Sequence, residues 1–267
     1  MTKKIIVSFL IFILVYAFMW YFLLGDDSIP VERLTYEFNH DDTITITGYD
    51  SEFDEVVFPN RIEGKKVTQL NITGVVDNNA LSVQLPDYIE SVSSSYFSQM
   101  SNLQSIEISN SNDHYTSIEG ILYSNDFSTL ITVPSNNGIT EFTVPKEVER
   151  IERLAFSAHN SLRVLDFEEA SQLEKIEYGA FMNAEYLYDV TFPDGLEIIG
   201  RSSFKGTNIT SIEIPGSVRK IDSDAFEGAP PLYHFPCKIP RSKEGLGGSW
   251  VVMGHGWVAT MVITKAR

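Results

Sequence analysis

The order of apolar and polar positions divides the chain into three stretches. From Ile5 to Leu24, twenty consecutive residues carry no charge and one hydroxyl, that of Ser8. As a helix rising about 1.5 Å per residue, this run would extend about 30 Å, the thickness of a bilayer's hydrocarbon core. Trp20 and Tyr21 stand near its far end, Lys3 and Lys4 precede it, and Asp26 and Asp27 follow it. That flanking pattern predicts an amino terminus inside and the rest of the chain outside the membrane. The run exceeds the ~7–15 apolar residues of a signal peptide, and Leu23-Leu24-Gly25 is a poor cleavage site. Residues 1–25 are therefore read as an uncleaved signal anchor, membrane-inserted through residues 5–24, with secretion after cleavage as the alternative; both export the body of the chain.

Beyond the anchor the pattern becomes periodic. Five segments place an aliphatic residue five positions before a phenylalanine: Val92/Phe97, Ile151/Phe156, Ile176/Phe181, Ile199/Phe204 and Ile221/Phe226. The residue before the phenylalanine is small in four of them, and a proline (Pro86, Pro145, Pro193, Pro215) sits six positions before the aliphatic residue in four. After the phenylalanine come Leu103, Leu162, Leu187 or Ile209, and then an apolar-x-apolar step such as Ile212-Glu213-Ile214. From Phe156 onward the phenylalanines are 25, 23 and 22 residues apart. The two-residue alternation predicts a short strand with one face buried, and the proline directly after it stops the strand. Asp and Ser before Ala225-Phe226 suit a capped helical turn. One such unit cannot bury its own Phe and Leu, so the units must stack as coils with their strands in a parallel sheet. The third unit lacks the proline, which predicts a wider coil there.

This grammar resembles the BspA-like leucine-rich-repeat family of surface proteins, most closely over Ile209–Phe226. Ile44–Tyr49, Val56–Pro59 and Ile62–Thr68 are similar to the family's first coil. Tyr115–Ser124 followed by Thr129–Ile131 is similar to its inserted hairpin, with Asn125-Asp126 at the turn and the insertion near 109–142. The resemblance covers roughly residues 34–236. It implies a fold that is α/β and mostly β: a leucine-rich-repeat solenoid over 26–236, with a parallel sheet on one face and short helical turns on the other, preceded by one transmembrane helix. The sequence departs from the family three positions after each phenylalanine, where Met100, His159, Ala184, Thr207 and Ala229 replace the usual Cys or Asn. Cohesion between coils should therefore rest on packing of Phe and Leu. The repeat stops after Pro236. Residues 237–267 then read as a cap or flexible tail, with Gly245–Ser249 as linker and a hairpin from the apolar runs Trp250–Met253 and Trp257–Ile263.

Charge narrows the function. The net charge is -16, and residues 26–236 hold 35 acidic against 13 basic side chains. Such a surface repels phosphate polymers and excludes a nucleic-acid groove. One cysteine excludes a disulfide framework. His234 and Cys237 are three apart but lack an orienting acid, and Ser249 lacks the second glycine of a nucleophile elbow. Asp222 and Asp224 lack the further oxygen donors of a calcium site and read as caps. His159 falls on an inward repeat position and reads as a packed or solvent-edge histidine, not a ligand. Asn71 and Asn208 fit a glycan acceptor pattern. No metal, cofactor or catalytic residue is expected.

Strand alternation points Glu107, Asp166, Asp189 and Glu213 outward, and stacking would gather them on one concave surface. They are the candidate binding face, for a cationic or hydroxyl-rich partner. The resemblance implies a surface-displayed module that binds protein or another macromolecule and has no enzymatic activity. The alternative is a structural envelope protein whose coils act as a spacer.

Overall fold

A computed structural model of the chain describes residues 27–50, 53–73, 79–222 and 224–230, together with the backbone of two strands beyond them. The anchor expected at 1–25 lies outside the described residues, among which no helix is long and apolar enough to cross a membrane.

The chain enters through β1 (Leu34–Phe38), antiparallel to β2 (Ile44–Tyr49), and this pair stands at the first end of the stack of coils. Each coil contributes to two ladders. The first ladder carries the apolar-x-apolar step: β3 (Glu55–Val57), then, after the hairpin β4 (Arg61–Ile62) and β5 (Lys65–Leu70), β6 (Ser82–Gln84). The second ladder carries the aliphatic residue five before the phenylalanine: β2, β5 and β7 (Ser91–Val92) run parallel there. The single α-helix among the described residues, α1, spans only Ser94–Phe97, with the Ser93 hydroxyl accepting from the Ser95 amide. β8 (Ser105–Glu107) completes a three-stranded parallel sheet with β3 and β6.

The insertion differs from the simple hairpin that the sequence predicts. β9 (Tyr115–Ile118), β10 (Ile121–Ser124) and β11 (Thr129–Thr132) form an antiparallel meander. The turn at Asn125-Asp126 is present, and a second one occupies Glu119-Gly120, where both residues have positive φ (52° and 77°). Two successive left-handed residues make the hairpin turn whose twist matches that of the strands. The same Ile-Glu-Gly triplet turns β4 into β5, with φ 51° at Glu63 and 79° at Gly64. At Gly120 the neighbouring backbone is also close: an added Cβ would lie 2.8 Å from Ser105 Cβ.

All four residues of β11 are buried, so both of its faces are covered. Leu122 and Ile131 pack into the amino-terminal core, whereas Ile121, Tyr123 and Leu130 pack into the carboxyl-terminal one. The meander is thus a partition between two cores. It also splits the first ladder, because the Ile106 amide donates to the carbonyl of Gly120 and not to the next coil (2.9 Å).

Beyond the partition the coils are regular. β12 (Glu141–Val144), β14 (Val164–Phe167) and β16 (Asp189–Val190) stack in parallel in the first ladder, followed by isolated bridges at Ser211 and Ile214. β11, β13 (Arg150–Ile151), β15 (Lys175–Ile176), β17 (Ile198–Ile199) and β18 (Lys220–Ile221) stack in the second. Prolines turn the chain between the ladders: the amides of Ile89, Val148, Leu196 and Val218 donate to the carbonyls of Pro86, Pro145, Pro193 and Pro215 at 3.1–3.2 Å. The coil without proline closes differently. Ser171 donates to the carbonyl of Glu168 with Ala170 left-handed, a longer bend that accounts for the 25-residue spacing. Last come β19 (Leu246–Val252) and β20 (Ala259–Lys265), paired antiparallel. The expected hairpin strands are therefore present, but Leu246–Ser249, read as linker, belongs to β19. Backbone pairing alone satisfies a strand there, whatever its glycine content.

The helical turns expected opposite the sheet are corrected to a second β-ladder followed by tight turns. Residues two before and two after each phenylalanine are left-handed: Leu154 and Ala158, Gly179 and Asn183, Ser202 and Gly206, Asp224 and Gly228. This alternation aims amides along the stack. Phe156, Phe181 and Phe204 donate to the carbonyls of Ala180, Ser203 and Ala225 in the next coil, each at 2.7 Å. Their rings stack in register: Phe156–Phe181 4.7 Å, Phe181–Phe204 4.9 Å and Phe204–Phe226 5.3 Å, with interplanar angles of 18°, 7° and 8°. Phe97, expected in the same series, lies across the partition and packs on Tyr96 at 5.1 Å.

Two outcomes follow for stability. Phe204→Ala removes a ring stacked on both sides and should cost about 3–5 kcal/mol in a denaturant titration. Ser203 stands where the other coils beyond the partition have Ala155, Ala180 and Ala225, and its buried hydroxyl has no hydrogen-bond partner among the described residues. Ser203→Ala should therefore raise stability by about 1 kcal/mol, read as a higher melting temperature.

Candidate binding face

The outward residues of the first ladder derive their positions from the register of its strands. Thr143 faces Asp166 and Val164 faces Asp189 across adjacent coils, while Glu141 faces Val164. The coil repeat places Glu213 in line with Thr191 and Asp166. Asp166 and Glu213 therefore share one row with a threonine between them, and Asp189 lies in the other row. At about 4.8 Å per coil, the two acids of a row stand about 10 Å apart. Like charges directly opposite would be destabilising, and the intervening Thr191 and Val164 prevent that juxtaposition.

Glu107 does not join them. It lies in line with Gln84 and Val57 in the separate three-stranded sheet, beyond the strand edge sealed by Gly120. Alternation within a strand does not show this, because it carries no information on where the inserted hairpin folds. Asp166, Asp189 and Glu213 thus form one face, and Glu107 another. A shallow pocket of about 280 Å³ between Thr191, Phe192, Asp194, Glu213 and Pro215 lies on the former.

Two exposed aromatic side chains extend this face. Tyr186 and Tyr188 flank buried Leu187 and are 53% and 51% exposed. The equivalent flanks in other coils hold Ser161 and Arg163, or Asn208 and Thr210. Aromatic residues at flanks that are polar elsewhere in the repeat are a signal legible in the sequence, outside the alternating strand positions. The Tyr188 amide donates to the carbonyl of Arg163, which fixes this corner beside Asp189 (3.1 Å).

The second ladder has a different electrostatic character. Along single strands, Arg150 pairs with Glu152 (3.7 Å), Lys175 with Glu177 (2.6 Å) and Lys220 with Asp222 (2.6 Å). Between coils, Lys205 pairs with Glu227 at 2.6 Å, Arg201 with Asp224 at 3.6 Å, and Arg219 with Glu197. Asp222 and Asp224, considered above for calcium, are thus occupied by cations. Among the described residues no ion pair involves Asp166, Asp189 or Glu107, and no group of three or more His, Cys, Asp and Glu could hold a metal. His234 and Cys237 lie outside the described residues, and Ser249 falls in β19. Asn208, one of the two glycan acceptor positions, donates its side-chain amide to the carbonyl of Glu185 (2.7 Å).

His159 is fully buried behind the partition. Its Nδ1 accepts from the Leu162 amide at 3.1 Å, so Nε2 carries the proton and donates to Asn137 Oδ1 at 3.1 Å. Burial pushes its pKa down to about 4.

The repeat grammar and the two-ladder coil define a leucine-rich-repeat solenoid. The chain belongs to the BspA type leucine rich repeat family, whose description matches residues 74–141 and 134–233 in six copies. Among solved structures, the pneumococcal vaccine antigen PcpA is similar at 23% identity and a TM-score of 0.57, over 71% of this chain and 52% of that one. The chain thus spans about half the length of that relative. A leucine rich cell surface protein of Faecalibacterium prausnitzii is similar at 15% identity and a TM-score of 0.52, over 82% of this chain and 96% of that one. No curated protein matches the chain.

The buried histidine sets a pH dependence. Because its folded pKa lies below the ordinary value of 6.5, the unfolded chain binds the proton more readily. The stabilisation is complete above about pH 6.5 and is lost as pH falls toward 4, by on the order of 3 kcal/mol. Denaturant titrations between pH 4 and 7 should show this slope in the native protein and a flatter one in His159→Gln.

Proposed function

We propose that the chain is a membrane-anchored recognition module, displayed outside the cytoplasm, that binds a macromolecular partner through the first-ladder face of its carboxyl-terminal coils. The observation that carries this reading is the contrast between the two ladders. The same short repeat neutralises its acids with neighbouring cations on the second ladder, yet leaves Asp166 and Asp189 without an ion pair among the described residues on the first. Tyr186 and Tyr188, exposed beside them, add the residue type favoured at recognition surfaces. A partner bearing lysine or arginine, or a dense set of hydroxyls, matches acids and phenols together. The apolar run over residues 5–24 and its charged flanks support attachment to a membrane, with the coils on the outer side. Leucine-rich repeats of this type are a binding scaffold, and no side-chain constellation described above supports catalysis.

The spacer reading makes the opposite prediction about the same surface. With the full chain in detergent as bait against solubilised surface extract, the triple variant Asp166→Ser, Asp189→Ser, Glu213→Ser should lose a specific partner by at least about tenfold, and added salt should weaken the wild-type complex. Retention of the same proteins by both baits would leave the coils as a spacer and refute the recognition face.

A further inference from the structure

The partition opens a cleft of about 410 Å³ on the second-ladder side, between β7 and α1 on one wall and β13 with its following turn on the other. This size falls within the range of ligand sites. Its origin is an interruption in the ladder. In the regular coils, the carbonyls of Glu149 and Ile151 accept from the amides of the next coil, Glu174 and Glu177 (2.8 and 3.0 Å). Glu90 and Val92 hold the equivalent positions in β7, which pairs with β5 on one side but has no strand of a next coil on the other. The Tyr115 hydroxyl stands there instead, accepting from the Val92 amide at 3.3 Å and donating to the Glu90 carbonyl at 3.4 Å. Both bonds are long, and one hydroxyl replaces the pairing of a whole strand.

Small side chains line the β7 edge, while the Ser94 hydroxyl donates to the Arg153 carbonyl at one end and Arg150 donates to the Thr129 hydroxyl at 3.3 Å on the far wall. Where β13, β15 and β18 carry an in-strand ion pair, as at Arg150 and Glu152, β7 and its continuation carry Ser91 and Ser93, and β11 offers Thr129. The floor is apolar through Val92 and Ile131, while Glu90 and Arg150 line opposite sides. The cleft therefore has backbone pairing groups held only by long bonds to one hydroxyl, an apolar floor and charges of both signs at its rim. These are the features that one of the molecule's own second-ladder strands, reading cation, apolar residue, acid, would satisfy.

We infer that this cleft binds an extended peptide segment of a partner protein by strand addition to β7, the peptide displacing the Tyr115 hydroxyl and presenting a basic–apolar–acidic triplet. Backbone pairing supplies the affinity and the triplet supplies the selectivity, as in other strand-addition sites. This site is separate from the acidic face and stands without it.

The test uses the full chain in detergent and a fluorescent peptide of residues 172–179, Gln-Leu-Glu-Lys-Ile-Glu-Tyr-Gly, which carries the triplet of β15. Saturable binding is expected, weakened at least about tenfold when the amide of the glutamate after isoleucine is N-methylated, since that amide would donate to the Val92 carbonyl. Tyr115→Phe should tighten binding several-fold by removing the competing hydroxyl. Ser93→Arg, which fills the cleft, should abolish binding while the protein still melts cooperatively, and it keeps the test intact should Tyr115→Phe fail to fold. The triple acid-face variant should bind the peptide as the wild type does. The inference is overturned by no binding at millimolar peptide, by binding indifferent to N-methylation or to Ser93→Arg, or by displacement of the peptide by a neutral oligosaccharide such as cellohexaose.

Discussion

Everything in this molecule depends on the fact that a coil of some two dozen residues has no inside of its own. Beyond the partition each repeat phenylalanine is buried against another above or below it, and the turns are held by amides that reach the carbonyls of the next coil. The left-handed residues on either side of the rings are the cost of that arrangement, since Leu154, Ala158, Asn183, Ser202 and Asp224 adopt a conformation disfavoured for side chains with a Cβ. They persist because the stack determines them from both sides. Removing one ring therefore disturbs three coils, which is why cohesion is distributed along the axis and not concentrated in a central core.

Spacing was the legible part of the sequence. Pro, aliphatic residue, small residue and Phe recur at intervals that only a stacked coil explains, and the first ladder, the proline turns and the wider third coil all follow from them. The second ladder was not legible beyond the insertion because β13, β15, β17 and β18 are two residues long, too short for alternation to register. The left-handed turns were hidden for another reason: most are occupied by residues other than glycine. At the candidate site, the outward direction of Asp166, Asp189 and Glu213 was readable from alternation, whereas the isolation of Glu107 depended on where an insertion of more than twenty residues folds back. Both β11 faces are buried, and a strand of that kind looks the same in sequence whether it ends a coil or walls one off.

The distribution of charge shows how an acidic solenoid avoids repelling itself apart. On the second ladder the repeat carries a cation two residues before an acid, and stacking brings further cations to acids of the next coil. On the first ladder the acids are spaced by threonine and valine, so that they remain solvated without facing one another. Exposed pairs of this kind add little stability individually. Their effect is on the field of the molecule: several second-ladder acids have a cation beside them, whereas Asp166 and Asp189 on the first have no ion pair among the described residues.

The wall formed by β10 and β11 has an architectural consequence. It behaves as a bulkhead: coils can be gained or lost on its carboxyl-terminal side without altering the compartment that adjoins the amino-terminal end. A one-residue slip within it, in contrast, would exchange Leu130 and Ile131 between compartments and spoil both at once. Length can thus vary freely in one direction from a fixed base, and the reach of the outer coils becomes an adjustable dimension of an otherwise constant molecule.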